Sequence, residues 1–559
     1  MFAQEEYLPN NLRSSNYSTN DLFGARGYAR LTILVAIVLL AGCQRASEAA
    51  FAPSGTARFD VAADPQTLNP LLLHPDAASV EQQLARLVFE PFIDLDARGI
   101  PVPALLETIP TRANGGLSAD GKTIVYRLRP GVKWSDGRPV TSQDVLFTLR
   151  AILDPRNPVR SHAGYDLIDR AYARDARTVV FHLTKAWAPA VLTYFSYGFS
   201  PQFVLPSHVL RTQAPLAQAP FNAAPTVGDG PYDFVSWRRG EGLRYAANPA
   251  YWRGKPAVER LDVRVIPDPS TNLLLLQSGQ LDWNLVAPAQ LAVLRGKPGI
   301  AYVKVPTAVV AGLALNTQRP PLDDARVRRA IAMSIDRNAI SRKITLGLYP
   351  VTNMIQPQFS WAFDRSVREP RYEPHAADAL FDAAGWHRGS DGLRRKGGKP
   401  FDLLYVQFPE STTGVRVATA IQQALRERGV DVTVKSIANA QLFMPRTGAL
   451  ASGDFDLAYV PWTMGADPDD STVLGCGAAS NYMRWCDRQV DALERAALAS
   501  TQRDTRKRLY ARIGAIVAEQ VPILYLFNAD YVYAYRERLR GFAPNAFLPT
   551  WNASEWRLR

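Results

Sequence analysis

The apolar positions that follow the N-terminal region of the chain have two different periods. Residues 57–61 alternate apolar and polar side chains, which predicts a β-strand with one buried face. Residues 79–89 place Val80, Leu84 and Leu87 three or four positions apart, which predicts an amphipathic helix. A strand, a turn-rich loop and a helix are therefore expected to open the folded part of the chain.

Three neighbouring segments further along predict a strand–helix–strand unit. Residues 401–405 are an apolar run typical of a strand, and residues 415–428 place apolar side chains on one helical face before Gly429, a typical helix end. Val430, Val432 and Val434 then alternate in the next strand. Since a helix that joins neighbouring strands makes them parallel, the unit indicates an α/β protein with a covered sheet.

Another helix is predicted after Asp323 and Asp324, which can cap its first turn. Val327 and Ile331 form its apolar stripe. Arg328 and Arg329 lie off this stripe, so we expect them on a solvated face.

A buried strand predicted at residues 455–460 leads into a loop that combines Trp with Gly, Asp and Pro. The sequence here is Tyr459-Val-Pro-Trp-Thr-Met-Gly-Ala-Asp-Pro-Asp-Asp-Ser471. A Trp at a strand end suits the wall of a ligand cleft, because its ring offers both apolar area and an N–H donor. A core Trp followed by a surface turn is the alternative on these residues alone.

Length and composition limit the class of protein. The chain has 559 residues, which suggests two to four domains, and its 47% hydrophobic and 21% charged residues are ordinary for a globular protein. The net charge of +12 could indicate nucleic acid or an anionic membrane as a partner. The sequence has no run of five Lys or Arg, no zinc-finger spacing and no RNA-binding signature, so a basic globular surface is favoured.

The N-terminal region has the pattern of a secretory signal. Arg26 and Arg30 precede the apolar run of residues 31–40, and small residues follow in Leu40-Ala-Gly-Cys43. This last stretch is similar to the bacterial lipoprotein box, which implies that Cys43 is lipidated and becomes the first mature residue. An uncleaved membrane anchor is the alternative, although the run is short for one. The leader before Arg26 is longer than usual, which leaves the position of the start codon open between Met1 and a residue downstream.

The two remaining cysteines, Cys476 and Cys486, form the next candidate pair. Export permits a disulfide. A metal site is the alternative, but two Cys residues with no nearby His do not complete a tetrahedral set. A disulfide is favoured, and no metal or cofactor is predicted.

Several blocks, in order along the chain, resemble one known family. The longest early block is Leu128-Arg-Pro-Gly-Val-Lys-Trp-Ser-Asp-Gly-Arg-Pro-Val-Thr-Ser-Gln-Asp-Val145, and the later ones include Val227-Gly-Asp-Gly-Pro-Tyr232, Asn248-Pro-Ala-Tyr-Trp252 and the stretch 315–337. From about Phe59 to Asn545 the chain is similar to the peptide/nickel-type extracytoplasmic solute-binding proteins of family 5. These proteins are the dipeptide- and oligopeptide-binding subunits of ABC importers.

The resemblance implies an α/β fold of two lobes around a central cleft, like the periplasmic binding proteins, with an extra domain in the first lobe. The signal peptide would be residues 1–43 and the tether 44–55. The first lobe core would comprise 52–90, 225–312 and 525–559, with the extra domain at 91–224. The second lobe would be 313–524, and hinge strands would lie near 310–316 and 523–527.

The sequence does not predict an enzyme. It has no Gly-x-Ser-x-Gly, no His-Glu-x-x-His and no P-loop, and its six His residues are scattered. An exported hydrolase is therefore disfavoured, and any ATP hydrolysis would belong to a partner.

The resemblance also implies where a ligand would bind. The loop after the first strand contacts the ligand backbone in this family, which points to Leu73, His74 and Asp76. The facing wall would be formed by five residues of the Trp loop, with Trp361 as a further candidate. These five residues are Tyr459, Trp462, Thr463, Met464 and Gly465.

One departure from the family concerns the ligand's amine. Peptide-binding members similar to this chain place an Asp three residues after the wall Trp, where it pairs with the peptide ammonium. Here that position is Gly465, and the next acid is Asp467. A buried ammonium without a counter-ion would cost several kcal/mol. Either Asp467 reaches the amine through a reshaped loop, or the ligand has no free amine there, as in a blocked peptide or an oligosaccharide.

The expected function follows from these observations. The chain is expected to be a lipid-anchored, extracytoplasmic and monomeric subunit that binds a peptide or peptide-like solute reversibly and delivers it to a membrane permease with ATPase partners. A sensor or a chaperone-like protein with the same fold is the alternative.

Overall fold

The computed structural model describes residues 55–72, 78–159, 162–196, 202–213 and 215–559. These residues belong to one compact unit that begins at Gly55. The strands, in chain order, are β1 (Thr56–Val61), β2 (Ile93–Leu95), β3 (Pro101–Pro103), β4 (Thr123–Arg127), β5 (Ile168–Ala173), β6 (Thr178–Leu183), β7 (Tyr232–Arg238), β8 (Gly242–Ala247), β9 (Arg260–Val265), β10 (Trp283–Val286), β11 (Ile300–Val305), β12 (Val309–Leu315), β13 (His387–Arg388), β14 (Arg394–Lys396), β15 (Lys399–Pro400), β16 (Asp402–Gln407), β17 (Asp431–Ser436), β18 (Leu457–Thr463), β19 (Ile523–Asn528), β20 (Tyr531–Arg536), β21 (Leu539–Arg540) and β22 (Arg557–Leu558).

The α-helices of the described residues are, in the same order, α1 (Ala78–Val88), α2 (Ser142–Leu153), α3 (Ala190–Thr193), α4 (Ser207–Leu210), α5 (Pro269–Gln277), α6 (Pro288–Leu294), α7 (Ala325–Met333), α8 (Arg337–Ile344), α9 (Pro374–Ala383), α10 (Thr412–Arg426), α11 (Asn439–Leu442), α12 (Ala449–Ser452), α13 (Ser471–Leu474), α14 (Arg488–Ala499) and α15 (Arg503–Gln520). None of them is both long enough and apolar enough to span a membrane.

Two large sheets organise the fold, and we name the first and second lobes after them. The first lobe contains a seven-stranded sheet in the order β11-β20-β10-β1-β9-β8-β7. The second lobe contains a five-stranded sheet in the order β17-β16-β18-β12-β19. A third sheet, β4-β6-β5, shares one continuous core with the seven-stranded sheet, because Tyr126 and Phe181 are buried in the same cluster as Phe59. This third sheet therefore extends the first lobe, and the predicted α/β class is confirmed.

The first lobe core forms where the alternating pattern of β1 predicts it. Ala57, Phe59 and Val61 point to the buried side of the sheet, and Phe59 stacks on Trp283 with 4.7 Å between ring centres. The helix after β1 is α1, close to the predicted bounds.

The second lobe contains the predicted strand–helix–strand unit. β16 and β17 pair in parallel from Asp402–Asp431 to Gln407–Ser436, and α10 packs against both strands. β18 pairs in parallel with β16 and antiparallel with β12, so it is a central strand with both faces covered. This position explains why its sequence is a continuous apolar run and not an alternating one.

The helix after Asp324 is α7, and its Arg328 side chain is buried where the sequence predicted a solvated face. Asp324 caps α7 by accepting a hydrogen bond from the Arg326 N–H. The expectation that Arg328 is solvated is wrong, because this residue is only 3% exposed. Its guanidinium donates to the carbonyl oxygens of Gln520 and Leu322, at 2.9 Å each. The side chain therefore fastens α7 to the end of α15.

The chain crosses between the two large sheets twice, over short segments. It leaves β11 of the first lobe at Val305 and enters β12 of the second lobe at Val309. It returns from Asn528 at the end of β19 to Tyr531 at the start of β20. The two crossings are hydrogen-bonded to each other, with Thr307 Oγ1 donating to the Ala529 carbonyl at 2.8 Å.

Candidate functional site

A small cavity lies where the first lobe faces the loop after β18. Its volume is about 60 Å³. One side is formed by Ala163, Trp187, Pro189 and Thr193 of the first lobe, and the other by Gly465, Asp467, Asp469 and Thr472 of the second. The cavity is therefore assembled from segments that are far apart in sequence.

The lobes are in direct contact at residues adjacent in sequence to the cavity lining. The Ala188 N–H donates to the Leu498 carbonyl at the end of α14, at 2.7 Å. Ala466 packs against Leu95 and Leu548 of the first lobe. Ala188 lies between the lining residues Trp187 and Pro189, and Ala466 lies between Gly465 and Asp467, so the lobes touch next to the cavity.

The first-lobe side is held rigidly by close packing. A Cβ on Gly164, whose φ is +82°, would lie 2.1 Å from the ring of Trp187, so only glycine allows this approach. The ring centre of Trp187 is 6.0 Å from that of Tyr194, and the Tyr194 hydroxyl donates to the Gly164 carbonyl at 2.7 Å. Trp187 therefore presents a fixed indole to the cavity.

The second-lobe side is a loop shaped by its own acidic residues. The Met464 N–H donates to the Ala308 carbonyl at 2.9 Å, which fixes the start of the loop. Asp467 Oδ1 accepts from the Asp469 N–H at 3.1 Å, and Asp469 Oδ1 accepts from the Ser471 N–H at 3.0 Å. Consecutive turns of this kind are typical of Asp and Ser, whose short side chains reach the backbone two residues on.

Asp467 is bound by a cation of the protein itself. Its two carboxylate oxygens accept from the two terminal nitrogens of Arg506 on α15, at 2.7 and 2.5 Å. Both side chains are buried. Burial would lower the pKa of Arg506, but the charge and the hydrogen bonds of Asp467 outweigh it, so the pKa is raised. Arg506 also donates to the Tyr510 hydroxyl at 3.0 Å, which completes a buried polar network.

Behind the loop, Asp470 faces a second buried acid. Asp470 Oδ2 accepts from the Gln356 amide at 2.6 Å, while Oδ1 and both oxygens of Glu494 on α14 have no donor among the described residues. Burial raises the pKa of Asp470 to about 6, and burial together with the Asp470 carboxyl raises the pKa of Glu494 well above its usual value. Two carboxyl groups that face each other without another hydrogen-bond donor are stable when one of them is protonated and donates to the other.

The predicted site residues fall into different environments. Gly465 and Asp467 line the cavity, and Thr463 is exposed at the end of β18. Tyr459 is buried against Phe408 and Gly414, and Met464 is also buried. Leu73, His74, Asp76 and Cys43 lie outside the described residues.

The two predicted Trp residues contact protein groups and not the cavity lining. The buried Trp462 donates through its indole N–H to the Ser480 carbonyl at 3.3 Å and stacks near Tyr482. Trp361 lies beside the guanidinium of Arg506, which is 5.4 Å from its ring centre. Both rings support the loop from behind.

Cys476 and Cys486 form a disulfide, with their Cα atoms 4.6 Å apart. The loop they close contains Asn481, whose side-chain amide donates to the carbonyls of Gly475 and Trp485. The Cys476 N–H donates to Asp491 on α14 at 3.0 Å. The disulfide thus fixes the segment that carries Tyr482 against Trp462.

The sequence reasoning missed several cavity residues. Trp187, Pro189 and Thr193 belong to a segment without a motif, Asp469 was treated as part of a turn, and Thr472 lies just beyond the loop considered. A Trp two positions before a Pro was the available signal for Trp187, but nothing in the sequence indicated what it faces.

Comparison with known proteins identifies the family of the chain. Residues 101–483 match the model of the bacterial extracellular solute-binding proteins, family 5 Middle. The chain is 29% identical over 467 residues to di/tripeptide-binding protein 2 of Pseudomonas aeruginosa (strain UCBPP-PA14), which covers 79% of this chain and 84% of that protein. It is 30% identical over 498 residues to protein XP55 of Streptomyces lividans, covering 86% and 85%.

A solved structure shows the same fold. The oligopeptide-binding protein AppA of Bacillus subtilis, in complex with a nonapeptide, superposes with a TM-score of 0.75 at 21% identity, covering 90% of this chain and 99% of that one. Together, the match over most of the chain and the shared two-lobed fold show that this protein belongs to the family 5 bacterial extracellular solute-binding proteins.

Proposed function

We propose that the protein is the lipid-anchored, extracytoplasmic solute-binding subunit of an ABC importer. It binds a peptide or peptide-like solute reversibly between its lobes and delivers that solute to a membrane permease. Two similar proteins, a di/tripeptide-binding protein and an oligopeptide-binding protein in complex with a nonapeptide, support this choice of solute.

The observation that carries the proposal is the cavity bordered by contacts between the two lobes. Closure of two lobes over a ligand excludes water and strengthens each hydrogen bond to that ligand. We place the hinge at the short crossings 306–308 and 529–530, next to the strands near 310–316 and 523–527 where the sequence analysis expected it. Only a few backbone torsions need to change in these crossings for the lobes to separate. The domain boundaries expected from the sequence stay part of this proposal, except that the first lobe ends before β12 and resumes after β19, because both strands belong to the sheet of the second lobe.

The proposed ligand site combines both walls of the cavity. Gly465 and Thr472 offer backbone and hydroxyl groups on the second-lobe side, and Trp187 offers apolar area opposite. Thr463, which is exposed at the end of β18, remains a candidate outside the cavity lining. Leu73, His74 and Asp76 remain candidates in the loop after β1. The larger part of an extended solute would leave the cavity, because about 60 Å³ holds only an end group.

Calorimetric titration with a panel of di- and tripeptides tests the binding function, and import of the bound peptide by cells tests delivery. We expect at least one peptide to bind with a dissociation constant in the micromolar range or below, and import to fail when the gene is deleted. Binding without any import defect would favour a sensor, and appearance of hydrolysis products would favour an enzyme.

Fatty-acid labelling tests the anchor separately. We expect the wild-type protein to incorporate label and the Cys43→Ala variant to incorporate none. Label that survives Cys43→Ala, or none on the wild type, would contradict lipid anchoring while leaving solute binding untouched.

A further inference from the structure

A buried polar cluster lies in the first lobe, apart from the cavity between the lobes. Its members are Asp60 on β1, Asn272 on α5 and Asn284 on β10. Phe59 and Trp283 pair in the register of the two strands, and their rings stack on the core side of the sheet. Since side chains alternate along a strand, Asp60 and Asn284, the next residue of each strand, share the opposite face.

Helix α5 covers this face and brings Asn272 to the cluster. Leu276 of α5 packs in one apolar cluster with Val286 of β10, which lies on the same face as Asn284. The Asn272 amide donates to Asp60 Oδ2 at 2.8 Å. Asn272 and Asn284 are only 8% and 1% exposed. Three segments that are far apart in sequence therefore bring polar side chains to one buried point.

Three oxygens of the cluster have no donor. Asp60 Oδ1, Asn272 Oδ1 and Asn284 Oδ1 are buried and accept no hydrogen bond from the residues that the structure describes. Within these side chains, Asn284 Nδ2 is the donor that is left unpaired. Buried polar groups are nearly always paired, with protein, water or an ion. One water donates only two hydrogen bonds, whereas one cation is ligated by three oxygens at once.

The Asp60 carboxylate has no cation of the protein as its partner. No Lys, Arg or His of the described residues forms an ion pair with it, and burial raises its pKa to about 7. Arg58 and Arg264 belong to the same sheet face, but Asp282 is the acid that acts most on Arg58, and Arg264 lines a cavity without Asp60. A bound cation would relieve the cost of burying this carboxylate.

We propose that Asp60, Asn272 and Asn284 bind Ca²⁺ through their three side-chain oxygens. Carboxylate and amide oxygens are among the ligands that Ca²⁺ takes, with backbone carbonyls and waters to complete its shell. Mg²⁺ keeps several of its waters, which suits a buried point less well. Among the described residues no group of three His, Cys, Asp or Glu side chains is placed to hold a metal, and amide oxygens fall outside that pattern.

The bound ion would fasten α5 to β1 and β10 and so stabilise the first lobe. The proposal does not depend on the peptide function, because the three residues lie outside the lining of the cavity between the lobes.

Calorimetric titration of CaCl₂ into chelator-treated and dialysed protein at pH 8 tests the site. The wild type, Asp60→Asn and Asn284→Leu are compared, and MgCl₂ and NaCl are titrated in the same way. Asn keeps the size of the Asp60 side chain and removes its charge. Leu keeps the approximate size of Asn284 and removes both of its polar atoms.

Asp262→Asn is the matched control. Asp262 lies opposite Arg58 on β9, on the same face of the sheet as Asp60, and pairs with Arg244 at 3.3 Å. This variant removes one negative charge from the same face and leaves the three oxygens in place. A general electrostatic effect on ion binding would therefore appear in both Asp variants.

We expect the wild type to bind one Ca²⁺ with a dissociation constant of about 0.1–1 mM, the range of extracellular calcium modules. Asp60→Asn and Asn284→Leu should each weaken binding at least about 10-fold, and Asp262→Asn less than about threefold.

Thermal unfolding gives a second readout. The melting temperature of the wild type should rise by about 1–3 °C in about 10 mM CaCl₂, and that of Asn284→Leu should stay the same. Without Ca²⁺, Asn284→Leu should be at least as stable as the wild type, because it removes two buried polar atoms that have no partner among the described residues.

Four results would overturn the site. Absence of any Ca²⁺ binding to the wild type would show that the cluster holds no such ion. Equal Ca²⁺ affinity of the wild type, Asp60→Asn and Asn284→Leu would place the ion elsewhere. An equal loss in Asp262→Asn would assign the attraction to the charge of the sheet face. Tighter binding of Mg²⁺ or Na⁺ would contradict the choice of ion. Circular dichroism checks that each variant is folded, and if Asp60→Asn does not fold, Asn284→Leu decides.

Discussion

Replacing one partner of the Asp467–Arg506 pair should destabilise the second lobe strongly. The carboxylate and the guanidinium are 8% and 6% exposed and are joined by two short hydrogen bonds. Arg506→Met leaves the Asp467 carboxylate buried without a counter-charge, and Asp467→Leu leaves the guanidinium in the same condition. Each single variant should lose about 3–5 kcal/mol of unfolding free energy.

The double variant Asp467→Leu/Arg506→Met should be far more stable than the sum of the single losses predicts. Replacing a buried ion pair by apolar side chains of similar size is often neutral, so we expect the double variant to lie within about 2 kcal/mol of the wild type. The resulting coupling energy, about 4–10 kcal/mol, would be unusually large because each single variant leaves an unpaired buried charge.

Urea unfolding followed by Trp fluorescence and by far-ultraviolet circular dichroism measures these differences. Coincident transitions by the two probes justify a two-state treatment. Additive losses, with a double variant about 6–10 kcal/mol less stable than the wild type, would refute the account of Asp467 as a structural partner of Arg506. The carboxylate would then be free to bind a ligand amine, as the sequence alone allowed.

Three further perturbations test other parts of the structure. Because burial raises the pKa of Asp470 and of Glu494 above their unfolded values, the native state binds more protons, and its stability should fall as pH rises from about 4 through 6 and beyond. Glu494→Gln should flatten this fall and stabilise the protein at pH 8 by about 1–3 kcal/mol, because the amide donates to Asp470 at every pH. The other polar groups around the pair are Gln356, Asp469, Asp491, Tyr510 and Tyr525. A pH profile of the melting temperature that Glu494→Gln leaves unchanged would contradict a shared proton between Asp470 and Glu494. Replacing both Cys476 and Cys486 by Ser should cost roughly 2–3 kcal/mol in urea unfolding, since the closed loop is short, and no change in midpoint would show that the disulfide does not form in solution. Gly228→Ala should cost about 1–3 kcal/mol or more, because its Cβ would lie 2.2 Å from the Val88 carbonyl oxygen, and a variant as stable as the wild type would show that α1 can shift.

Elements with a strong local period were predictable from the sequence. The alternation of β1 and the helical face of α10 each report a buried surface directly, and the parallel pairing of β16 with β17 follows from the helix between them. The burial of Arg328 was not predictable in this way. Its partners are carbonyl oxygens at the end of α15, nearly two hundred positions away, and a helical period carries no information about them.

The candidate site could be predicted only in part, because contacts between segments far apart in sequence determine the rest. The loop after β18 could be located because a buried strand ends in a turn there, and Gly465 and Asp467 do line the cavity. Whether Asp467 is free depends on Arg506, which a different helix brings to it. The role of Trp187 depends on how the lobes face each other, and no local pattern reports that.

Mass spectrometry of the solute that stays bound through gentle purification of the native, exported protein tests the central claim most directly. The account predicts one peptide or peptide-like molecule per protein, released on unfolding. Purified protein that carries no solute, and whose melting temperature no peptide of the panel raises, would contradict a role in peptide uptake.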